Sequence, residues 1–241
     1  MRSILDTIRT ICFPRESRSL AVSDPRIFKH LLEDPEFPFL VSFPRTGSHW
    51  LRMLMELYFE RPTLTRSFYF HRSTNYLVYH THDLDLDVYR KNVLYLYRHP
   101  LPTVYSQLRY HRADTADIHA IQHWAALYGK HLVKWLVNER TSERKTVIKY
   151  ERLHSDFVAE FAKITTHFGQ ALDIERLHRA ATTVTKDEIR FKTSHDPQVI
   201  ASAPTYDEDR ERFAQQHGDL VLDLVLRQDA RLAPLFDEER A

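Results

Sequence analysis

Short apolar runs alternate with segments of helical periodicity along most of this chain. Four runs have the length of a strand, at residues 39–41, 76–80, 92–97 and 146–150. The run at 92–97 is apolar on both faces, which is typical of a strand covered on both sides of a parallel sheet. The alternation predicts an α/β fold in which helices flank a central, mostly parallel sheet.

The helices between these strands are predicted from periodicity and from their end signals. Residues 51–59 are apolar almost all round, which indicates burial against the sheet. Pro100 or Pro102 begins a helix that runs to Tyr110, because proline is favoured in the first helical turn. Ser155 is expected to cap a later helix, which Gly169 ends.

Apolar residues spaced three and four apart predict a long amphipathic helix between residues 118 and 135. Its histidines lie mostly off the apolar stripe: His119, His123 and His131. We expect these side chains at the surface or rim and not as metal ligands.

Both ends of the chain differ from the central alternation. Residues 1–35 form a prelude in which Ile4, Leu5, Ile8 and Ile11 share one face of a short amphipathic helix. Residues 182–210 are polar and contain two prolines, which indicates a mobile loop of the kind that covers sites. A last helix follows at about 208–231. With 241 residues, the chain is predicted to form one domain over 1–241.

Composition limits the classes of function. The net charge of +1 gives no electrostatic support to general binding of nucleic acid or of a membrane surface, so an anion site must be local. The one cysteine, Cys12, excludes an intrachain disulfide and a cysteine-built zinc site, and it favours a reducing compartment. No run has the length of a transmembrane helix, and the N-terminus lacks the apolar core of a signal peptide. We therefore expect a cytoplasmic protein.

The sequence FPRTGSHWL, at residues 43–51, joins the first strand to the first buried helix. A helix N-terminus offers backbone N–H groups and the positive end of its dipole to an anion. Gly47 allows close approach of the backbone. Thr46, Ser48 and His49 add side-chain donors, and Arg45 adds a permanent charge with a planar fork of donors. The segment predicts a phosphate-binding loop, and an ordinary strand-to-helix turn is the structural alternative.

The glycines exclude the commonest nucleotide-binding loops. The four, at positions 47, 129, 169 and 218, are too far apart for GxGxxG or GxxxxGK[ST]. This argues against a dinucleotide-binding Rossmann loop and a Walker-type site. In open α/β sheets ligands gather at the carboxyl ends of the strands. We expect that edge to bring the loop together with His82, Arg98 and Tyr150.

Four segments share their order and spacing with one family. Residues 43–51 resemble a 5′-phosphosulfate loop written YPK(S/T)GTTWL. HTHD at 80–83 resembles a K-T-H segment. YRHPLPTVYS at 97–106 resembles a 3′-phosphate motif in which a serine follows an arginine by eight residues, and KYERL at 149–153 resembles a Y-E-D-L run. The chain is thus similar, over roughly residues 39–170, to the sulfotransferases that use 3′-phosphoadenosine 5′-phosphosulfate (PAPS).

This resemblance implies a P-loop-like three-layer fold and an enzyme that uses PAPS as co-substrate and releases 3′-phosphoadenosine 5′-phosphate (PAP). The catalytic histidine maps onto His82, a general base near neutral pH. Arg45 would stabilise the leaving phosphate. Arg98 and Ser106 would bind the 3′-phosphate.

The loop and its neighbours would supply the remaining cofactor contacts. The expected donor-binding residues of the loop are Arg45, Thr46, Gly47, Ser48, His49 and Trp50, joined by Tyr150 at the strand edge. The tryptophan would stack on adenine or pack in the core. The structural alternative for His82 is a strand-end histidine bonded to Asp83.

The chain also departs from the family pattern. His49 replaces the second threonine of the loop, and His80 replaces the lysine two residues before the catalytic histidine. The family's late R-K-G-x-x-G loop has no clear counterpart between residues 191 and 204. The C-terminal contacts to adenine and to the 3′-phosphate therefore stay unassigned.

Two other functions fit parts of the pattern. A P-loop-type small-molecule kinase has the same strand–loop–helix order, but GK[ST] and a metal-binding aspartate after an apolar strand are missing. A non-catalytic nucleotide-binding or anion-binding module would need Arg45 and Arg98 but not His82. Sulfuryl transfer is predicted to need no metal. The acceptor, a hydroxyl or amine of a small molecule, lipid or carbohydrate, and the oligomeric state are left open.

Overall fold

The computed structural model of the protein describes residues 25–64, 66–70, 75–194 and 204–236. The amphipathic helix predicted around Ile4 to Ile11 lies outside these ranges, as does the 195–203 part of the predicted mobile loop.

The strands form one four-stranded sheet in the order β2-β1-β3-β4. They are β1 (Phe39–Ser42), β2 (Tyr79–Thr81), β3 (Asn92–Tyr97) and β4 (Arg144–Lys149). β3 runs parallel to both β1 and β4, with Leu40 opposite Leu94 and Leu96 opposite Ile148. Every residue of β3 is buried, as its two apolar faces predict. The predicted α/β class with a parallel central sheet is confirmed.

Helices follow the strands in the predicted alternation. They are α1 (Pro25–Glu33), α2 (Ser48–Phe59), α3 (Pro100–Tyr110), α4 (Ile118–Leu132), α5 (Arg152–Ser155), α6 (Phe157–His167), α7 (Ile174–Thr183), α8 (Lys186–Lys192) and α9 (Tyr206–Leu226). A π-helical turn, Val133–Val137, continues α4, and short 3-10 helices lie at Glu139–Thr141 and Ala230–Leu235. α3 has the predicted bounds, with Pro100 in its first turn.

The chain divides into two compact units. The sheet unit contains the described residues of 38–48, 81–172 and 202–236, and the helical unit contains those of 25–37, 49–80 and 173–194. In the sheet unit, α3, α4 and α9 pack on one another, and α6 packs on β4. Its core is rich in large rings, including the fully buried Tyr95, Tyr128 and Trp135.

The helical unit is organised around a buried carboxylate on α2. Glu56 accepts hydrogen bonds of 2.6–3.1 Å from backbone N–H groups and hydroxyls in the segment that follows the helix: Thr63, Ser67, Phe68 and Tyr69. Arg52, one turn earlier, donates to the Thr63 hydroxyl at 3.0 Å. Burial, opposed by the nearby Glu56, lowers the pKa of Arg52 to about 10. These bonds tie Thr63 and residues 67–69 to α2.

Four local predictions were wrong or displaced. β2 is short and begins at Tyr79, three residues later than predicted. Ser155 ends α5 instead of capping α6, which Asp156 precedes. The polar 182–210 segment contains α8, whose N-cap Thr185 bonds the Glu188 N–H, so much of it is helical. His131, expected at the surface, is fully buried.

Candidate active site at the carboxyl edge of the sheet

The loop after β1 contains two residues in the left-handed region of backbone conformation. Arg45 and Gly47 have positive φ angles, 72° and 91°, with Thr46 between them. Left-handed residues in such a loop can turn backbone N–H groups toward an anion, which is the use that the sequence predicts for it. The Thr46 hydroxyl donates to the Phe43 carbonyl at 2.7 Å and closes the loop. Its proton therefore has a structural use, while its part in ligand binding stays a prediction.

Gly47 meets two constraints at once. Its φ angle lies in the left-handed region, and a Cβ there would lie 2.3 Å from Cε2 of the Tyr150 ring. Tyr150 is held by its N–H, which donates to the Tyr97 carbonyl at 2.8 Å and extends the pairing of β3 with β4. The ring therefore lies directly against the loop, at the strand edge where the sequence predicted it.

The side chain of Arg45 reaches across to α3. Its Nε donates to the Ser106 hydroxyl oxygen at 3.0 Å, and its guanidinium carbon lies 5.3 Å from the centre of the Tyr110 ring. Ser106 and Tyr110 are one helical turn apart, so they present one face of α3 to the arginine. The structure thus brings the loop cation and the serine of the second motif together.

Arg98 directly follows the last residue of β3. Its guanidinium carbon lies 4.4 Å from the centre of the Tyr150 ring. Its Nε atom is buried and has no hydrogen-bond partner among the described residues. Such an orphaned donor on a permanent cation suits a bound anion, because a buried N–H without a partner costs free energy.

His99 has a structural use at the start of α3. Its N–H donates to Oε1 of Glu151 at 2.8 Å, and its Nδ1 accepts the Leu101 N–H at 3.3 Å as the N-cap of α3. Glu151, the acidic residue of the KYERL segment, therefore holds the turn between Arg98 and α3.

The ring of His82 is fixed by the strand that precedes the loop. Its Nδ1 lies 2.7 Å from the Ser42 carbonyl oxygen. A carbonyl only accepts, so Nδ1 carries the proton and the Nε2 lone pair is the basic site of the neutral ring. The Asp83 carboxylate, expected as the partner of a purely structural histidine, bonds instead to Arg90, at 3.0 Å through each oxygen, and to the Thr81 hydroxyl.

A second, buried histidine lies behind His82. His131 Nε2 is 2.9 Å from the His82 carbonyl oxygen, and its Nδ1 is 2.9 Å from the Tyr95 hydroxyl. Burial lowers the pKa of His131 to about 3, so its ring is neutral. Nε2 then donates to the carbonyl, and Nδ1 accepts from the tyrosine. Sequence reasoning missed this contact. Its position between Tyr128 and Trp135, three and four residues away on the apolar stripe, was the available signal.

His49, Trp50 and His80 belong to the helical unit. Nε2 of His49 accepts from Nη1 of Arg66 at 3.3 Å, because a guanidinium only donates, and its ring packs edge-on to Phe68. Trp50 and His80 are half-buried. Arg66 is a cation beside the predicted loop histidine that no sequence motif indicated.

Neither a cluster of metal ligands nor a membrane-spanning helix is present among the described residues. Among these residues, no group of three or more His, Cys, Asp or Glu side chains is arranged to hold a metal ion. Within the same part of the chain, no helix is both long and apolar enough to cross a membrane.

Comparison with known proteins gives matches among solved structures. No protein-family model matches the chain, and no curated protein matches it at a significant level. The crystal structure of retinol dehydratase in complex with androsterone and inactive cofactor PAP matches with a TM-score of 0.53 and 14% identity, over 81% of this chain and 82% of that one. The crystal structure of mouse sulfotransferase SULT7A1 complexed with PAP matches with a TM-score of 0.48 and 15% identity, over 84% and 92%. The match to retinol dehydratase supports a shared fold.

Proposed function

We propose that the protein is a sulfotransferase that moves a sulfuryl group from PAPS to a hydroxyl or amine of a small-molecule, lipid or carbohydrate acceptor. The observation that carries the proposal is the bond from His82 Nδ1 to the Ser42 carbonyl, 2.7 Å long. It leaves Nε2 as the basic atom of a histidine tied to the residue just before the phosphate-binding loop. An anion-binding module has no need of such a base.

The donor would bind along the edge where the loop and α3 meet. The loop, Arg45 to Ser48, would hold the phosphosulfate end. Arg98 and Ser106 would hold the 3′-phosphate. The buried Nε of Arg98, orphaned among the described residues, supports this fit, since a 3′-phosphate oxygen would be its acceptor. The Tyr150 ring, which lies against both Gly47 and Arg98, would line the same site.

The chemistry follows from these groups. The acceptor oxygen or nitrogen forms a bond to sulfur while the bond from sulfur to the 5′-phosphate oxygen breaks. The acceptor proton passes to Nε2 of His82. The departing PAP gains negative charge on its 5′-phosphate, which Arg45 and the loop N–H groups stabilise. His80 is two residues from the base, and we assign it no step.

The structural match to retinol dehydratase also supports PAP as the nucleotide. That protein was crystallised with PAP and shares the fold of this chain. A small-molecule kinase is less well supported, because the loop lacks the GK[ST] sequence that binds triphosphate and magnesium. The expected cytoplasmic location stays a prediction.

The decisive experiment offers the purified protein sulfur-labelled PAPS with extracts of small molecules, lipids and oligosaccharides. Mass spectrometry would identify any product heavier by one sulfuryl group. Parallel reactions contain excess chelator, or ATP with magnesium in place of PAPS. Sulfated product that persists in chelator supports the proposal. Phosphorylated product that requires magnesium would replace it with the kinase.

A further inference from the structure

One face of α4 contacts the backbone of two predicted site residues. Tyr128 and His131 are three residues apart, and both side chains are fully buried. Tyr128 bonds to Arg98, and His131 bonds to His82. Residues at this spacing lie next to each other on one side of a helix, so a single turn of α4 reaches both.

The Tyr128 hydroxyl bonds Arg98 on both sides of its Cα atom. The Arg98 N–H donates to the hydroxyl oxygen at 3.1 Å, and the hydroxyl donates to the Arg98 carbonyl at 2.6 Å. Two bonds to one residue restrain its φ and ψ angles, and hence the direction in which its Cβ points. The guanidinium above Tyr150 therefore starts from a fixed backbone.

His131 restrains His82 in a similar way. Nε2 donates to the His82 carbonyl, while Nδ1 accepts from the Tyr95 hydroxyl on β3. The neutral ring needs both partners to satisfy its two nitrogens in a buried position. The bond of the His82 ring to Ser42 depends on where its backbone is held.

The same two rings also pack on the start of the loop. The Phe43 ring centre lies 4.6 Å from that of Tyr128 and 5.5 Å from that of His131. One turn of α4 thus contacts the loop, the arginine after β3 and the histidine after β2.

We propose that Tyr128 and His131 are a positioning pair, in which Tyr128 sets the direction of Arg98 and His131 sets the place of His82. Neither touches the reacting atoms. The inference rests on the proposed function for its catalytic meaning, but each half makes a separate physical prediction.

Tyr128→Phe tests the first half, because it keeps the ring on Phe43 and removes both bonds to Arg98. We expect the ratio of affinities for PAP and 5′-AMP to fall about fivefold, the equivalent of one ordinary hydrogen bond. Tyr105→Phe is the matched control. Tyr105 is buried like Tyr128, but it lies on α3 and packs on Tyr206 and Phe213. Its hydroxyl has no hydrogen-bond partner among the described residues. This control should leave the ratio unchanged.

His131→Phe tests the second half by nitrogen-15 spectroscopy of the His82 ring. The wild-type ring should be a single tautomer with its proton on Nδ1. The variant should show a mixture of tautomers, and His131→Gln, whose amide can donate to the same carbonyl, should restore the single form. If His131→Phe does not fold, Tyr95→Phe/His131→Phe removes the unpaired tyrosine hydroxyl and takes its place.

Each substitution should affect only one of the two measurements. Tyr128→Phe should leave the His82 tautomer as it is, and His131→Phe should leave the nucleotide ratio as it is. A folded Tyr128→Phe protein with an unchanged ratio, or a single His82 tautomer in the folded histidine variant, would overturn the pairing. A wild-type protein that binds neither nucleotide would remove the proposed function alone. The exchange rate of the Arg98 amide proton, expected to rise in Tyr128→Phe and not in Tyr105→Phe, then decides the first half.

Discussion

Arg45 and Ser106, sixty-one residues apart in the chain, are joined by a 3.0 Å hydrogen bond from Nε to Oγ. One belongs to the loop that resembles a 5′-phosphosulfate site, and the other to the motif that resembles a 3′-phosphate site. The bond brings the two predicted halves of one nucleotide site within reach of each other. This proximity is a tertiary fact that neither motif contains.

The first prediction concerns the 3′-phosphate. We expect the protein to bind PAP more tightly than 5′-AMP by about tenfold or more, since one charge-assisted contact contributes roughly 1.5–3 kcal/mol. Arg98→Ala should shrink that gap and barely change the affinity for 5′-AMP. Titration calorimetry on both nucleotides measures it. Equal affinities in the wild-type protein would exclude a 3′-phosphate site.

The second prediction concerns the base. His82→Ala should lower the rate of sulfuryl transfer by at least about 100-fold, the usual scale for a general base, with PAP affinity nearly unchanged. His82→Gln is the matched variant, because its amide can still donate toward Ser42 but offers no basic nitrogen. The rate of sulfuryl transfer in His82→Gln should fall by the same factor as in His82→Ala. Near-normal turnover in either variant would move attention to His80.

The third prediction concerns the stability of the loop. Gly47→Ala should destabilise the fold both through its φ of 91° and through the Tyr150 ring, which leaves 2.3 Å for a Cβ. Gly169→Ala meets the first penalty alone, with φ 68° and no atom within 4 Å, and should cost about 1–2 kcal/mol.

Gly218→Ala completes this comparison. Gly218 lies inside α9, and a Cβ there would be 3.8 Å from the nearest atoms, so alanine should stabilise the helix by roughly 0.5–1 kcal/mol. Urea denaturation would rank the three variants. A Gly47→Ala protein no less stable than Gly169→Ala would contradict the tight approach of Tyr150 to the loop.

The fourth prediction concerns the dependence of stability on pH. Burial lowers the pKa of His131 to about 3 and that of His167 to about 4, against an ordinary value of 6.5. At a pH between the folded pKa and the ordinary pKa of 6.5, each of these histidines is protonated in the unfolded chain but not in the folded protein. Stability is therefore full above about pH 6.5 and falls with falling pH, by about 1.4 kcal/mol per pH unit for each histidine.

His131→Gln should make this slope shallower by about 1.4 kcal/mol per pH unit between pH 6 and 4. The exposed His119 provides the substitution control, since His119→Gln removes a histidine from the same helix without changing the core. Denaturant titrations at several pH values give the slopes. Parallel slopes for the wild-type protein and His131→Gln would show that His131 is not a buried neutral ring.

The sequence by itself determined the alternation of strands and helices around the sheet, the position of the glycine-containing loop after β1, and the bounds of β3 and α3. These features depend on local physics, namely the period of apolar residues, the φ angle that favours glycine and the preference of proline for a first helical turn. Such signals act over a few residues and can be read without knowing the fold. The predicted start of β2 was three residues too early, because the few apolar residues of this run do not define where the strand begins.

Only the tertiary structure decided how the site is held. His82 meets the Ser42 carbonyl from 40 residues away and His131 from 49, so no local pattern specifies its tautomer. His131 was misplaced for the same reason. A polar ring on an apolar stripe is favourable only when both nitrogens find partners, and Tyr95 and the His82 carbonyl come from other elements. Long-range hydrogen bonds form only once the chain has packed. They set the tautomer and orientation of side chains whose positions in the sequence the motifs identify.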